Sequence, residues 1–303
     1  MILVTGGTGF VGSHLIRQMR QEGLLVRAVV RSPAKAIWLR DLGVEVVPGD
    51  VSDKASLEKA VQGIERVVHL VGIIQEAPGA TFQGVHVDGT RNLVEAARKA
   101  GVRHFLFQSA LGTRANAASR YHRTKWEAEE LVRGSGIPST VLRPSLIYGP
   151  GDQFTIRLSD MIRLSPILPI IGSGRSKVQP IFINDVVACI VKAVTSDAYL
   201  NELYELGGPE QLTYEEVSRA IAAALGVSRP ALHLPLVFIR SMARVMETVL
   251  PKPLVTTDQL IMLQEDTVCS MKDIRDAFGI EPILFQKGLS TFIGKRTDQA
   301  ERS

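Results

Sequence analysis

Two groups of residues in this 303-residue chain have types and spacings suited to chemistry. The first is Thr5-Gly6-Gly7-Thr8-Gly9-Phe10-Val11-Gly12. It follows the apolar run Met1-Ile2-Leu3-Val4 and precedes Ser13 to Arg20, whose apolar residues have helical spacing. A strand, a glycine-rich turn and a helix in that order make an anion cradle. Gly6 permits the tight turn, Gly9 the close approach of a pyrophosphate, and Gly12 the packing of helix on strand. Amides at the helix start and the helix dipole favour the ligand's negative charge, so a dinucleotide is expected here. The second group is Tyr121 and Lys125, four apart on a predicted helix and therefore on one face. A free tyrosine, with a pKa of about 10, is a poor base near neutrality. An ammonium about 4 Å away favours the phenolate by roughly 4 kcal/mol at an effective dielectric near 20, before desolvation losses. Tyr121 is thus expected to move a proton to or from a substrate oxygen while a cofactor takes or gives hydride.

The elements that must position these groups alternate. Leu25–Val30 and Val44–Val47 read as strands, and Asp53–Gln62 as a helix capped by Ser52 or Asp53. Arg66–Gly72 is a fourth strand, Gly89–Ala100 a helix, and His104–Gln108 a fifth strand. A helix over Arg120–Gly134 and a strand over Ser139–Arg143 follow. Near-continuously apolar strands alternating with helices predict an α/β, Rossmann-type, doubly wound parallel sheet. Its binding crevice lies at the carboxyl ends of the strands.

Residues 1–150 are thus read as the dinucleotide-binding domain. Beyond Pro150, prolines interrupt the pattern and the apolar segments lengthen. Residues 151–303 are read as a smaller, mostly helical substrate lobe. Its short strands fall near Gln179–Ile183 and Leu203–Leu206 and are able to return to the main sheet. The tail after Lys295 reads as disordered.

Cofactor choice turns on the second strand. A carboxylate about 20 residues past the glycines usually holds the adenosine ribose diol. Here the strand ends Val29-Val30-Arg31-Ser32, with Lys35 close behind. Arg31 suits a charge-assisted bond to a 2′-phosphate and stacking on adenine. Asp50 and Val51, after the third strand, are placed to meet the adenine edge. NADP(H) is expected over NAD(H).

Composition narrows the partners. Hydrophobic content of 45% with 22% charged residues is that of a globular protein, and a net charge of +4 from scattered basic residues argues against nucleic acid. Cys189 and Cys269 stand far apart with no metal-ligand spacing, so two reduced thiols and no metal are expected. Met1 already belongs to the first strand, so no secretory leader is expected. No apolar run approaches the roughly 20 residues of a membrane span. The longest candidate, Leu234–Leu250, carries Arg240, Arg244 and Glu247 on one side, with Phe238, Met242, Val245, Met246 and Val249 on the other. It is read as an amphipathic helix covering a core or pocket rather than lying on a membrane. The setting expected is cytoplasmic.

The chain resembles the short-chain dehydrogenase/reductase superfamily, in its extended, NAD(P)-dependent epimerase/dehydratase-like branch. The likeness lies in Thr5 to Gly12, Gly49-Asp50-Val51, Val68-His69-Leu70-Val71-Gly72 and Val87-Asp88-Gly89-Thr90-Arg91-Asn92-Leu93. It continues through Tyr121-His122-Arg123-Thr124-Lys125, Arg143 to Pro150, and Phe182-Ile183-Asn184-Asp185-Val186. Tyr204 to Gly208 and Thr256 to Leu260 are similar to the group containing the 39-kDa accessory subunit of respiratory complex I. The resemblance implies that Gly6, Thr8, Gly9, Phe10, Val11, Gly12, Leu70, Val71, Gly72, Pro144, Ser145, Leu146 and Ile147 contact the cofactor. It implies that Lys125 also holds the nicotinamide ribose, and that Tyr121, Lys125 and Ser109 are the catalytic set.

Departures from the family pattern matter. Ala110 stands where a serine or threonine would polarise the substrate carbonyl, a loss that can cost two to three orders of magnitude in rate. His86 replaces a common asparagine and is either a pocket group or a core histidine. With Ala110 and Tyr148 it completes the candidate substrate pocket. Val178 replaces an arginine that would clamp a sugar diphosphate.

The resulting expectation is an NADP-dependent oxidoreductase or isomerase acting on a small apolar carbonyl or alcohol. The alternatives are an NADP(H)-holding assembly or regulatory protein with little turnover, and a nucleotide-sugar epimerase or dehydratase. A homodimer and an accessory role in a larger complex are the assemblies this allows.

Overall fold

The computed structural model describes residues 1–250 and 253–293. The expectation for the tail after Lys295 therefore lies outside the described residues. The first half follows the predicted alternation: β1 (Ile2–Thr5), α1 (Phe10–Gln21), β2 (Val26–Val30), α2 (Ile37–Asp41) and β3 (Glu45–Pro48). Then come α3 (Lys54–Ala60), β4 (Arg66–His69), α4 (Gly89–Lys99), β5 (His104–Gln108), α5 (Arg120–Arg133) and β6 (Ser139–Pro144). The ambiguous helix start resolves at Asp53, whose carboxylate accepts from the amides of Ala55 and Ser56. The fourth strand ends three residues earlier than expected, at His69. Leu70 makes one last bond to the Thr5 carbonyl, and the chain then leaves the sheet.

The remainder contains β7 (Ile147–Tyr148), α6 (Gln153–Leu164), β8 (Leu168–Ile171), β9 (Lys177–Val178), β10 (Ile181–Phe182) and α7 (Ile183–Thr195). It continues with β11 (Glu202–Leu206), β12 (Leu212–Thr213), α8 (Tyr214–Ala224), β13 (Ala231–Leu234) and α9 (Leu236–Val249). Helices α10 (Thr257–Met262) and α11 (Phe285–Leu289) complete it. Seven strands form the main sheet in the order β11-β6-β5-β4-β1-β2-β3. The pairings β1–β2, β1–β4, β2–β3, β4–β5 and β5–β6 are all parallel. This is the doubly wound α/β sheet expected, and the strand expected at Leu203–Leu206 does return to it as β11.

Two compact units are distinguishable. One comprises Met1–Arg143 with Val187–Tyr204, the other Pro144–Val186 with the residues from Glu205 on. The core of the first packs Leu3, Val67, Phe105 and Val141 of the sheet against Leu57, Leu93 and Val132 of α3, α4 and α5. The second is built on Tyr148, Phe182 and Phe285, with Tyr148 edge-on to Phe285 at 4.7 Å. It holds three two-stranded ladders, β10–β7, β12–β9 and β13–β8, and so more strand than the sequence pattern suggested. Paired runs of two to four residues are too short to register as a periodicity.

Helix α9 corrects another expectation. On the side expected to be covered, Phe238, Met242, Val245 and Val249 are exposed and Met246 is half-buried, and Ala243 alone among the helix residues is buried.

The first βα turn shows why its glycines are required. Gly6 has φ of 80°, in the left-handed region that favours glycine. A Cβ at Gly12 would stand 2.7 Å from the Gly7 Cα, so any side chain there drives α1 off the turn. Gly12→Ala is accordingly expected to cost about 1–3 kcal/mol by overpacking. Urea denaturation would register this, and a variant as stable as wild type would show that α1 can move aside.

Candidate functional site

Helix α1 begins at Phe10 with Gly9 as its N-cap, with no side chain capping it and no acidic residue in the first turn. Its first amides are therefore presented to whatever anion meets them. The glycine turn abuts the segment after β4: a Cβ on Gly6 would lie 3.1 Å from the carbonyl carbon of Leu70 and 3.2 Å from the Val71 nitrogen. Two residues on, Gly72 is flanked by His86 and Lys125, their Nε2 and Nζ at 3.7 and 3.9 Å from a Cβ built there. A continuous strip thus runs from the glycines, along Leu70-Val71-Gly72, to Lys125. This cradle of backbone closely lined by glycine fits a dinucleotide.

Arg31 and Asp50 follow the ends of β2 and β3. The Arg31 side chain is 83% exposed, with Nε 3.9 Å from an Asp50 carboxylate oxygen. Asp50 is held in place by the Ser52 amide and hydroxyl, which both donate to its Oδ1. The sequence pattern put no carboxylate at the tip of β2; the turn after β3 brings one there. Lys35 is exposed on the following turn, and Val51 is buried.

At the other end stands α5, capped by Ser119 accepting from the His122 amide. Glu129 is fully buried and pairs with Arg143 through two bonds, Arg143 Nε to Oε1 at 2.9 Å and Nη2 to Oε2 at 2.6 Å, tying the helix to β6. One turn before Glu129, Lys125 is 3% exposed. Its ammonium donates to the Gln108 carbonyl at 2.7 Å and lies 4.2 Å from the Phe107 ring centroid. Burial pulls its pKa down to about 7, with Glu129 opposing. Tyr121 is ringed by His122, His86 and Phe82, at centroid distances of 5.3, 5.4 and 6.0 Å. Burial pushes its hydroxyl up to about 12. Desolvation keeps the phenol protonated near neutrality.

His86 is buried with both ring nitrogens engaged. Nδ1 lies 2.9 Å from Thr124 Oγ1, and Nε2 lies 3.0 Å from the Ile73 amide nitrogen and 3.1 Å from the Ile73 carbonyl oxygen. These bonds pin the loop after β4 to α5. Burial first, and the Lys125 cation second, hold its pKa down to about 3. Ser109 is buried; its amide donates to the Leu142 carbonyl and its hydroxyl to Thr113 Oγ1 at 3.3 Å. Ala110 is half-buried.

In the second unit, the Ser145 hydroxyl donates to the Thr267 carbonyl and accepts the Gln179 amide. Pro144 is buried, and Leu146 and Ile147 are half-buried. Tyr148 is fully enclosed among Phe182 and Phe285, and Val178 is buried. Neither Cys189 nor Cys269 is in a disulfide, and burial pushes the Cys269 thiol up to about 12.

Sequence reasoning missed three participants. Thr113 offers a second buried hydroxyl beside Ser109, and its signal was the four-residue spacing after β5. Thr124 orients His86. His69, one of the quoted motif residues, is buried between Thr5 Oγ1 at 2.6 Å and Thr90 Oγ1 at 3.0 Å, and is likewise held down to about 3 by burial. A histidine inside an apolar strand was the available clue.

Comparison with known proteins fits this geometry. The model of the NAD dependent epimerase/dehydratase family matches residues 2–207. The chain belongs to that family. Among its relatives is a ceramide reductase of Caulobacter vibrioides, 35% identical over 237 residues, 78% of this chain and 74% of the relative. Another is subunit 9 of the mitochondrial NADH dehydrogenase [ubiquinone] 1 alpha subcomplex of Arabidopsis thaliana, 29% identical over 283 residues, 88% and 70% of the two chains. The fold matches that of the NADPH-dependent quinone oxidoreductase of Escherichia coli, solved with NADPH, at a TM-score of 0.77 and 21% identity, over 96% of this chain and 99% of the other. The family is NAD(P)-dependent. No helix among the described residues is long and apolar enough to cross a membrane.

The buried lysine makes a prediction independent of any ligand. Its folded pKa is depressed from 10.5 to about 7, so between those values the unfolded chain binds the extra proton and folding strengthens as pH rises. Between neutrality and about pH 9, wild type should gain up to about 2 kcal/mol relative to Lys125→Met. Parallel pH dependence of the two in urea denaturation would mean that Lys125 is not desolvated.

Proposed function

We propose that this protein is an NADP(H)-dependent reductase of small apolar carbonyl compounds, with Tyr121 as proton donor. The observation that carries this reading is the strip from Gly6 through Gly72 to Lys125, with Tyr121 one turn away on the same helix. When bound there, the reduced dinucleotide supplies a hydride. The glycine turn and the α1 amides hold its pyrophosphate, Leu70 to Gly72 border it, and Lys125 holds the ribose while staying anchored to the Gln108 carbonyl. Arg31 and Lys35 meet the 2′-phosphate. A phenol whose pKa is pushed up to about 12 remains protonated at neutral pH, which suits protonation of an oxygen that becomes strongly basic as a carbonyl is reduced. Ser109 and Thr113 supply hydroxyls next to Ala110, where the family's usual donor is missing. His86 and Thr124 set the packing around Tyr121. The reductase activity named for the Caulobacter relative supports the direction of reaction. Residues 151–303 are read as the substrate lobe, and the setting as cytoplasmic.

A second reading is a dinucleotide-holding accessory protein with little turnover. Ala110 favours it, as does the likeness to a subunit of mitochondrial NADH dehydrogenase. The sugar-nucleotide reading is weaker, because buried Val178 offers no cation for a diphosphate.

Two measurements separate these readings. Tyr121→Phe should lower turnover on an apolar carbonyl panel by at least about a hundredfold while leaving NADPH affinity nearly unchanged. Turnover retained in that variant refutes the role of Tyr121, and tight NADPH binding by a wild type inert on the whole panel supports the accessory reading. In parallel, Arg31→Asp should weaken NADPH binding by about 1–3 kcal/mol and invert the preference towards NADH. Equal affinities of wild type for the two cofactors would remove Arg31 from the 2′-phosphate site.

A further inference from the structure

The segment that leaves the sheet after Gly72 is fastened to α5 on both sides of Tyr121. At its start, the Ile73 amide nitrogen lies 3.0 Å from His86 Nε2, and His86 Nδ1 lies 2.9 Å from Thr124 Oγ1, one turn past Tyr121. The second fastening is Glu76, which meets Arg120, the residue just before Tyr121. Arg120 Nη1 donates to Oε2 at 2.8 Å and Nη2 to Oε1 at 3.2 Å, and Oε1 also accepts the Phe82 amide at 2.8 Å. A tight turn makes that last bond possible. Ala77 and Ala80 exchange backbone bonds of 3.0 and 2.8 Å around Pro78-Gly79, and Gly79, with φ of 79°, takes the left-handed conformation that such a turn needs. The chain therefore doubles back and brings Glu76 to Phe82. The buried Phe82 ring stacks on His86 at 5.4 Å and stands edge-on to Tyr121 at 6.0 Å, with the Arg120 guanidinium 5.8 Å from its centroid.

Glu76 and Arg120 have side chains 29% and 58% exposed, and an ion pair so open to water adds little stability. What the three donors converging on one carboxylate supply is geometry. We propose that Glu76 is a positioning residue for Tyr121: paired with Arg120, its carboxylate clasps residues 73–82 into a cover that seats Phe82 against the phenol ring and keeps bulk water from it. This role rests on the reading of Tyr121 as proton donor. A cover held in that way fixes the direction of the ring and preserves its dry surroundings. The glycine turn and Leu70 to Gly72 precede the cover, so opening the clasp costs rate and leaves dinucleotide binding intact.

Nitration by tetranitromethane, which attacks accessible tyrosine rings, tests the cover in the full chain without any cofactor. Glu76→Ala and Arg120→Ala should each raise the nitration rate of Tyr121 on the order of tenfold, and the double variant no further, because each breaks the same clasp. Tyr148, fully enclosed in the second unit, should stay unmodified in all of them, which separates local opening from unfolding. Turnover tests the positioning. On a carbonyl that wild type reduces, Glu76→Ala should lower kcat at least about tenfold with the KM for NADPH within about twofold of wild type. Glu76→Gln, which keeps an acceptor for the Phe82 amide, should recover part of the loss. The proposal is overturned if Tyr121 is nitrated equally in wild type and Glu76→Ala, or if that variant keeps the wild-type kcat. A wild type inert on every carbonyl overturns the reductase reading itself, and the positioning role with it. An active wild type matched by Glu76→Ala removes the clasp alone.

Discussion

An ammonium group removed from water is the constraint around which the first unit is arranged. Lys125 has left solvent at the end of β5, where an uncompensated charge would cost several kcal/mol. The structure offsets that cost in three ways. The Gln108 carbonyl, the last of its strand, accepts one of the lysine's protons. The Phe107 ring offers its electron-rich face, and Glu129 supplies negative charge one helical turn away while committing both oxygens to Arg143. The compensation is incomplete, which is why the lysine titrates near neutrality instead of far above it. A cation so placed is ready for a further acceptor, and the strip of backbone at Gly72 is the ground on which one would lie.

The same cation explains its neighbours. Two histidines are buried close enough to feel it, and both are held neutral, by desolvation first and by Lys125 second. Neutral imidazoles can then act as rigid connectors: His69 joins β1 to α4 through two threonines, and His86 joins the loop after β4 to α5. The His86 connection and the Glu129–Arg143 pair hold α5 in place, and the His69 connection holds α4. Tyr121 owes its position to that helix and its raised pKa to the aromatic packing His86 supports. A site that looks in sequence like two residues on a helix is in the molecule a network in which the lysine, two histidines and three threonines depend on one another.

The two units show opposite uses of apolar surface. In the first, alternating strands and helices bury their apolar sides almost completely, because a parallel sheet is covered on both faces. In the second, α9 keeps its apolar side in the open. Both helices α1 and α9 have well-formed amphipathic patterns. The difference is whether another element exists to receive the apolar side.

The amino-acid sequence by itself determined the features that depend on neighbours along the chain. The glycine spacing from Gly6 to Gly12 required one kind of turn, since the backbone conformation at Gly6 and the helix contact at Gly12 are local demands. The alternation of apolar strands with helices was enough for a parallel sheet, and the i, i+4 spacing put Tyr121 and Lys125 on one helical face. Tertiary structure decided what those side chains meet. The Lys125 ammonium bonds a carbonyl 17 residues back, the carboxylate beside Arg31 comes from the end of another strand, and Thr113 stands beside Ser109. The exposure of α9 was equally hidden, because a helical pattern states which residues share a side and not what lies opposite. Desolvation and long-range pairing depend on distances through space, and these exist only once the chain has folded.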